Sequence, residues 1–145
     1  MLTATEVWDE AALAALIAGA TLLGVDLKAG LLTNTPVISK KLTIADLVEP
    51  GYASYARQLV VMGPVMRDPV NGIASIAAGL TWQETGAVTA VTITGIFYTF
   101  GAGPALLGVE MFATPISLTD LIDAFVTVLE YIQSSDNQGF STIIR

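Results

Sequence analysis

The chain has no cysteine and no histidine among its 145 residues. The first absence excludes disulfides, and the second removes both the usual general base and the commonest metal ligand. Cations are scarce: six Lys and Arg stand against thirteen Asp and Glu, for a formal net charge of -7. Nucleic-acid affinity rests on clustered cations that release counterions, and the only adjacent cations here are Lys40 and Lys41, so no nucleic-acid partner is expected. Charge of either sign is low at 13%, against roughly 25% in ordinary domains, while apolar residues reach 53%. A chain of this size buries about two-thirds of its unfolded surface in one domain. With so little charge, apolar surface is left over, which predicts a homo-oligomer or a larger assembly.

Two uncharged runs test the chain as a membrane protein. Ala11–Val25 falls short of the ~20 residues a helix needs to cross a bilayer, and it follows Asp9 and Glu10 where a signal peptide would carry basic residues. The run from Thr85 to Val109 is long enough, but its threonines alternate with Val and Ile, the period of a strand. Glu84 and Glu110 bound it, so no positive flank orients it. The expectation is a soluble, unprocessed protein with no membrane partner.

That alternating run is the organising stretch. Val88–Phe112 reads as two strands folded back on the turn Gly101-Ala102-Gly103-Pro104, with Gly95 and Gly108 near one another and the Ile96 to Leu107 end buried. Before it, Thr3-Ala4-Thr5-Glu6 has capping-box spacing, and Trp8, Leu13, Leu16 and Ile17 recur at helical spacing, predicting a helix over 4–18. Leu23, Val25 and Leu27 alternate with Asp26 and Lys28 as in a half-buried strand. Thr43 can cap a short helical turn over Ile44–Val48. Gln58–Met62 suits a buried strand, Asn71-Gly72 a hairpin turn, and Leu80–Thr85 a strand with Trp82 inward. Residues 118–133 match both helix and strand periods. The β-branched Val126-Thr127-Val128 favours a strand over about 124–132, with a helical turn at Ser117–Ile122. The expected fold is mainly β, an antiparallel sandwich or jelly-roll-like domain over 1–133, with the N-terminal helix and one or two short helical turns. Residues 134–145 read as a polar linker and an arm whose Phe140, Ile143, Ile144 and Arg145, together with Trp8, are candidate partner-interface residues.

No reaction centre is legible. Asp120 with Asp123, and Glu84 with Glu110, could pair as acid and base, but no nucleophile, metal set or oxyanion donors accompany them, and they read as solvated sheet-edge charges. Gly101-Ala102-Gly103 lacks the lysine and following helix of a phosphate loop. No catalytic, cofactor or metal residue is predicted, and the chain is not expected to be an enzyme.

The order of features does have a likeness. An N-terminal helix is followed by Lys28-Ala29-Gly30-Leu31, Leu42-Thr43-Ile44-Ala45-Asp46-Leu47, Gly51-Tyr52 and a Trp82 strand. Then come Thr94-Gly95-Ile96-Phe97-Tyr98, Leu106–Phe112 with Pro115, and a final alternating run. This resembles the small β-sandwich structural proteins of tailed-phage virions. The resemblance implies a capsid decoration or cement protein located in the virion, binding and stabilising neighbouring capsid subunits, with the major capsid protein or itself as partner, a trimer being one such self-assembly, and no cofactor. A tail or fibre component is the alternative within the virion. A ligand- or glycan-binding sandwich using Trp82, Tyr98 or another exposed aromatic is the alternative outside it.

Overall fold

The computed structural model describes residues 6–8, 27–52, 54–62, 66–68, 72–83, 90–100, 105–118, 124–133 and 138–145. Within them run ten strands: β1 (Glu6–Trp8), β2 (Leu27–Leu32), β3 (Gln58–Leu59), β4 (Met66–Asp68), β5 (Gly72–Ile76), β6 (Leu80–Gln83), β7 (Val91–Phe100), β8 (Ala105–Leu118), β9 (Ala124–Gln133) and β10 (Gln138–Ile144). The protein is mainly β, in two antiparallel sheets. One has the order β1-β8-β7-β2-β3; the other has β10-β9-β5-β4, with β6 also on β9.

The β7–β8 hairpin forms as its alternation predicts, with pairing from Val91↔Leu118 to Phe100↔Ala105; the turn residues 101–104 lie outside the described residues. Its register shifts twice. Leu107 is an extra residue between the pairs Tyr98↔Gly108 and Thr99↔Leu106, and β8 carries a longer irregular stretch between the pairs Gly95↔Met111 and Ile93↔Ile116. A shift changes which face a residue meets, so Ile93, Ile96 and Tyr98 all reach one core despite their mixed parity. It also separates the two glycines: Gly95 stands opposite Met111 and Gly108 opposite Tyr98, three positions apart along β7. Towards that end Ile96, Phe97, Tyr98, Thr99 and Leu107 are buried, as expected, and Leu106 is half-buried; the side chains of 100–105 lie outside the described residues.

The main core draws Leu27, Leu31, Ile96 and Tyr98 from the first sheet and Trp82, Phe125 and Leu129 from the second. A smaller cluster of Leu32, Phe97 and Val109 lies under Ile38, Leu42 and Leu47, so part of residues 33–57 straps over the first sheet. That covering explains why β2 is exposed only at Lys28 and is otherwise buried. After β3 the chain turns a corner. Val60 N–H donates to Leu27 O, whereas Ala78 N–H donates to Val61 O and Met62 bridges to Ala77, so one segment passes from sheet to sheet. The edge position also limits the strand expected over Gln58–Met62: only Gln58–Leu59 is strand, and Leu59 and Val61 face solvent.

Three expectations change. Glu6–Trp8, inside the predicted helix, is instead a strand paired with Glu110, Val109 and Gly108; the rest of 4–18 lies outside the described residues. Helical propensity in a short segment is a weak preference, and pairing on an open strand supplies backbone partners at once. The helical turn foreseen at Ser117–Ile122 is strand at Ser117–Leu118, where β8 continues, with 119–122 outside the described residues. Near Thr43 a 3-10 turn does form, but over Ile44–Asp46 only. Thr43 N–H donates to the Asp46 carboxylate at 2.9 Å and Asp46 N–H returns to Thr43 O at 3.0 Å.

Other expectations stand. Met66–Asp68 and Gly72–Ile76 pair as a hairpin, although Gly72 is in the strand opposite Asp68 and not in the turn; Ala124–Gln133 is a strand, and Trp82 is buried. The C-terminal segment read as an arm is an exception: Gln138–Ile144 pairs along its whole length with β9 of its own chain, as part of the second sheet.

Candidate functional site

Two polar clusters stand out, one on the outer face of the first sheet and one inside the main core. The outer cluster starts from a glycine. Gly30 of β2 lies opposite Phe97 of β7, and a Cβ on it would come within 2.4 Å of the Phe97 ring and 2.9 Å of the Tyr55 hydroxyl. The missing side chain is what lets both aromatics approach the sheet. Tyr55 accepts from Leu31 N–H at 3.0 Å and donates to Glu49 Oε1 at 2.6 Å. Arg57 holds the same carboxylate in a two-point grip at 2.9 and 3.0 Å, and its guanidinium lies 5.1 Å from the centre of the Phe97 ring.

The Arg57 guanidinium lowers the Glu49 pKa below its ordinary value; burial opposes it, and Tyr55 assists. Burial first, and then the Glu49 carboxylate, push the Tyr55 phenol well above its usual range. The strap is fastened at a second point. Asn34 donates to Asp46 O and accepts from Val48 N–H, both at 3.0 Å, while Thr94 donates to Leu32 O and Asn34 O.

The inner cluster crosses between the sheets. Thr142 of β10 donates its hydroxyl to Glu110 of β8, which leaves Tyr98 of β7 as donor to Thr142 at 2.7 Å. All three are at least 98% buried. Burial, reinforced by the Glu110 charge, holds the Tyr98 phenol far above its usual range. Glu110 is therefore not the solvated edge charge expected of it. It lies opposite Ile96, whose side chain is in the main core, and cross-strand partners share a face. Asp120, Asp123 and Glu84 lie outside the described residues.

Neither cluster offers an assembled reaction centre. Both place carboxylates beside hydroxyl groups and use them to fasten segments together. Among the described residues no group of three or more Asp or Glu is arranged to hold a metal ion. No family model matches the chain, and neither a curated protein nor a solved structure was found to match it.

The candidate interface residues fall in two places. Phe140, Ile143 and Ile144 are in β10 and Arg145 follows it; Ile143 and Ile144 are half-buried, Arg145 is exposed, and Ile144 packs on the main core. Trp8 is in β1, opposite Gly108 at the end of the other sheet. The side chains of Trp8 and Phe140 lie outside the described residues. Of the aromatics considered for glycan stacking, Trp82 is buried with its indole N–H donating to Thr127 at 2.8 Å, and Tyr98 belongs to the inner cluster.

Glu49, Tyr55 and Arg57 were not foreseen, because their spacing matches no motif. Glu110 could have been suspected from its place between Val109 and Met111 in an otherwise uncharged run. Exposed large apolar residues lie in two places, Val37 and Val48 on the strap and a group at the corner between the sheets. Leu59, Val61 and Ile76 are each more than half exposed, and Ala78 beside them is exposed as well.

Proposed function

We propose that this protein is a structural component of a tailed-phage virion, a capsid decoration or cement protein that binds neighbouring capsid subunits. Its two sheets, sharing one core, are read as an antiparallel sandwich. The observation that carries the proposal is the apolar corner of Leu59, Val61 and Ile76 on a chain poor in charge. Apolar surface of that kind is what association covers, while the acidic balance keeps the free protein soluble. The order of short sequence features resembling virion proteins, without its N-terminal helix, points the same way. Trp82 and Tyr98, the two aromatics named for the glycan-binding alternative, are buried.

Quantitative mass spectrometry of purified particles, with immunogold labelling for position, tests the proposal. Copy numbers matching capsid symmetry and label over the shell are expected. Label confined to the tail would replace the reading with the tail component. Absence from particles would remove both.

A further inference from the structure

We propose that β10 is a self-association edge: two copies of the chain pair their β10 strands antiparallel about a two-fold axis at Ser141, joining their second sheets into one. The inference rests on the expected homo-oligomer and not on residence in a virion.

β10 ends its sheet, and among the described residues its only strand partner is β9. The direction of its free backbone groups follows from the register. Arg145 and Val126 exchange both backbone hydrogen bonds, at 2.8 and 2.9 Å. Bonded and non-bonded pairs alternate in an antiparallel ladder, so Ile143, Ser141 and Gly139 also bond inward to β9. Gln138, Phe140, Thr142 and Ile144 therefore turn their N–H and C=O groups outward.

Such an edge is normally protected by charge, proline, a bulge or shortness. The other sheet ends show these devices: β1 has three residues and Glu6, β4 has three with Arg67 and Asp68, and β3 has two. β10 has seven residues, no charge, no proline and no shift in register. An unprotected strand of this length fits a partner strand.

A second copy suits it on charge and symmetry. Two chains of net charge -7 repel one another, and the uncharged edge is where approach brings no like charges face to face. With the axis at Ser141, Phe140 pairs with Thr142 of the second copy and Gln138 with Ile144. Every outward backbone group is then used, in the self-complementary manner of a two-fold interface.

Ser141 would face its own copy as a non-hydrogen-bonded pair, with Cα atoms about 4.5 Å apart, within disulfide reach. Because the full chain has no cysteine, Ser141→Cys and Ile143→Cys each create a single thiol. Under mild oxidation Ser141→Cys should become predominantly a covalent dimer, while Ile143→Cys alone should not, since it faces Gly139 of the other copy. Mixing Ile143→Cys with Gly139→Cys should yield the mixed dimer. Sedimentation of the wild-type chain should show a concentration-dependent dimer, and Ser141→Lys should weaken it roughly tenfold or more by placing two ammonium groups on the axis. A wild-type chain that stays monomeric or forms a trimer overturns the proposal, as does cross-linking of Ile143→Cys alone as complete as that of Ser141→Cys.

Discussion

Glu49 and Glu110 each take a hydroxyl group as donor, in opposite surroundings. Glu49 lies at the outer face with Arg57, the two about 30% exposed, and ties residues 49–57 to Phe97 and Gly30. Glu110 is 1% exposed and meets Thr142, so it ties the C-terminal strand to the first sheet through the core. The outer carboxylate is solvated and held by a cation, and the exposed ion pair itself adds little free energy. The inner one has lost its water, so the groups around it carry the full cost of any missing bond. Strength in the outer region should therefore lie in its apolar contacts, and strength in the inner region in its polar ones.

The largest effect is expected at Phe97, where the apolar part of the outer region is concentrated. Phe97→Ala should destabilise the protein by about 3–5 kcal/mol, read from the denaturant midpoint. Gly30→Ala should also be costly, because the new Cβ would collide with the Phe97 ring. In a Phe97→Ala background that penalty should shrink, since the ring met at 2.4 Å is gone and only the Tyr55 hydroxyl at 2.9 Å remains. Additive costs would mean that the ring and the glycine are not coupled, and that the strap is secured elsewhere.

The inner region is tested by a change of nearly constant volume. Thr142→Val keeps the shape of the side chain and removes the hydroxyl that Tyr98 and Glu110 share, at a cost of about 1–3 kcal/mol. Thr142→Ser should recover most of the loss, because it restores the hydroxyl and gives up only a methyl group. If valine proved neutral and serine costly, Thr142 would be acting by packing, and the contrast between the regions would fail.

The parts of the fold legible in advance are those where local pattern and final environment agree. The threonine alternation of Thr92 and Thr94 identified β7, Val126-Thr127-Val128 identified β9, and Asn71-Gly72 placed a hairpin. The parts that were not legible depend on distant residues. Glu110 looks like a surface charge until Thr142, far along the chain, is brought beside it. The register shifts at Leu107 and beyond Met111 reassign faces that strict alternation had set. Glu6–Trp8 has a helix-like start, and only pairing with β8 makes it a strand. The C-terminal residues were read as an arm because a polar linker precedes them; their place on β9 makes truncation a removal of the inner cluster as well.

The smallest effect is expected at the outer ion pair. Glu49→Gln should cost no more than about 1 kcal/mol at neutral pH, the range of exposed pairs, and less in high salt. Its pH dependence has a definite sign. Arg57 holds the Glu49 carboxyl below its ordinary value, so the folded state gives up this proton more readily than the unfolded chain does. The contribution is thus complete above the unfolded value of about 4.3 and is lost as pH falls through the lower folded value. Urea midpoints of the wild-type and Glu49→Gln proteins should differ at pH 7 and converge in acid. A difference independent of pH, or one as large as that of Thr142→Val, would show that the outer carboxylate is as desolvated as the inner one.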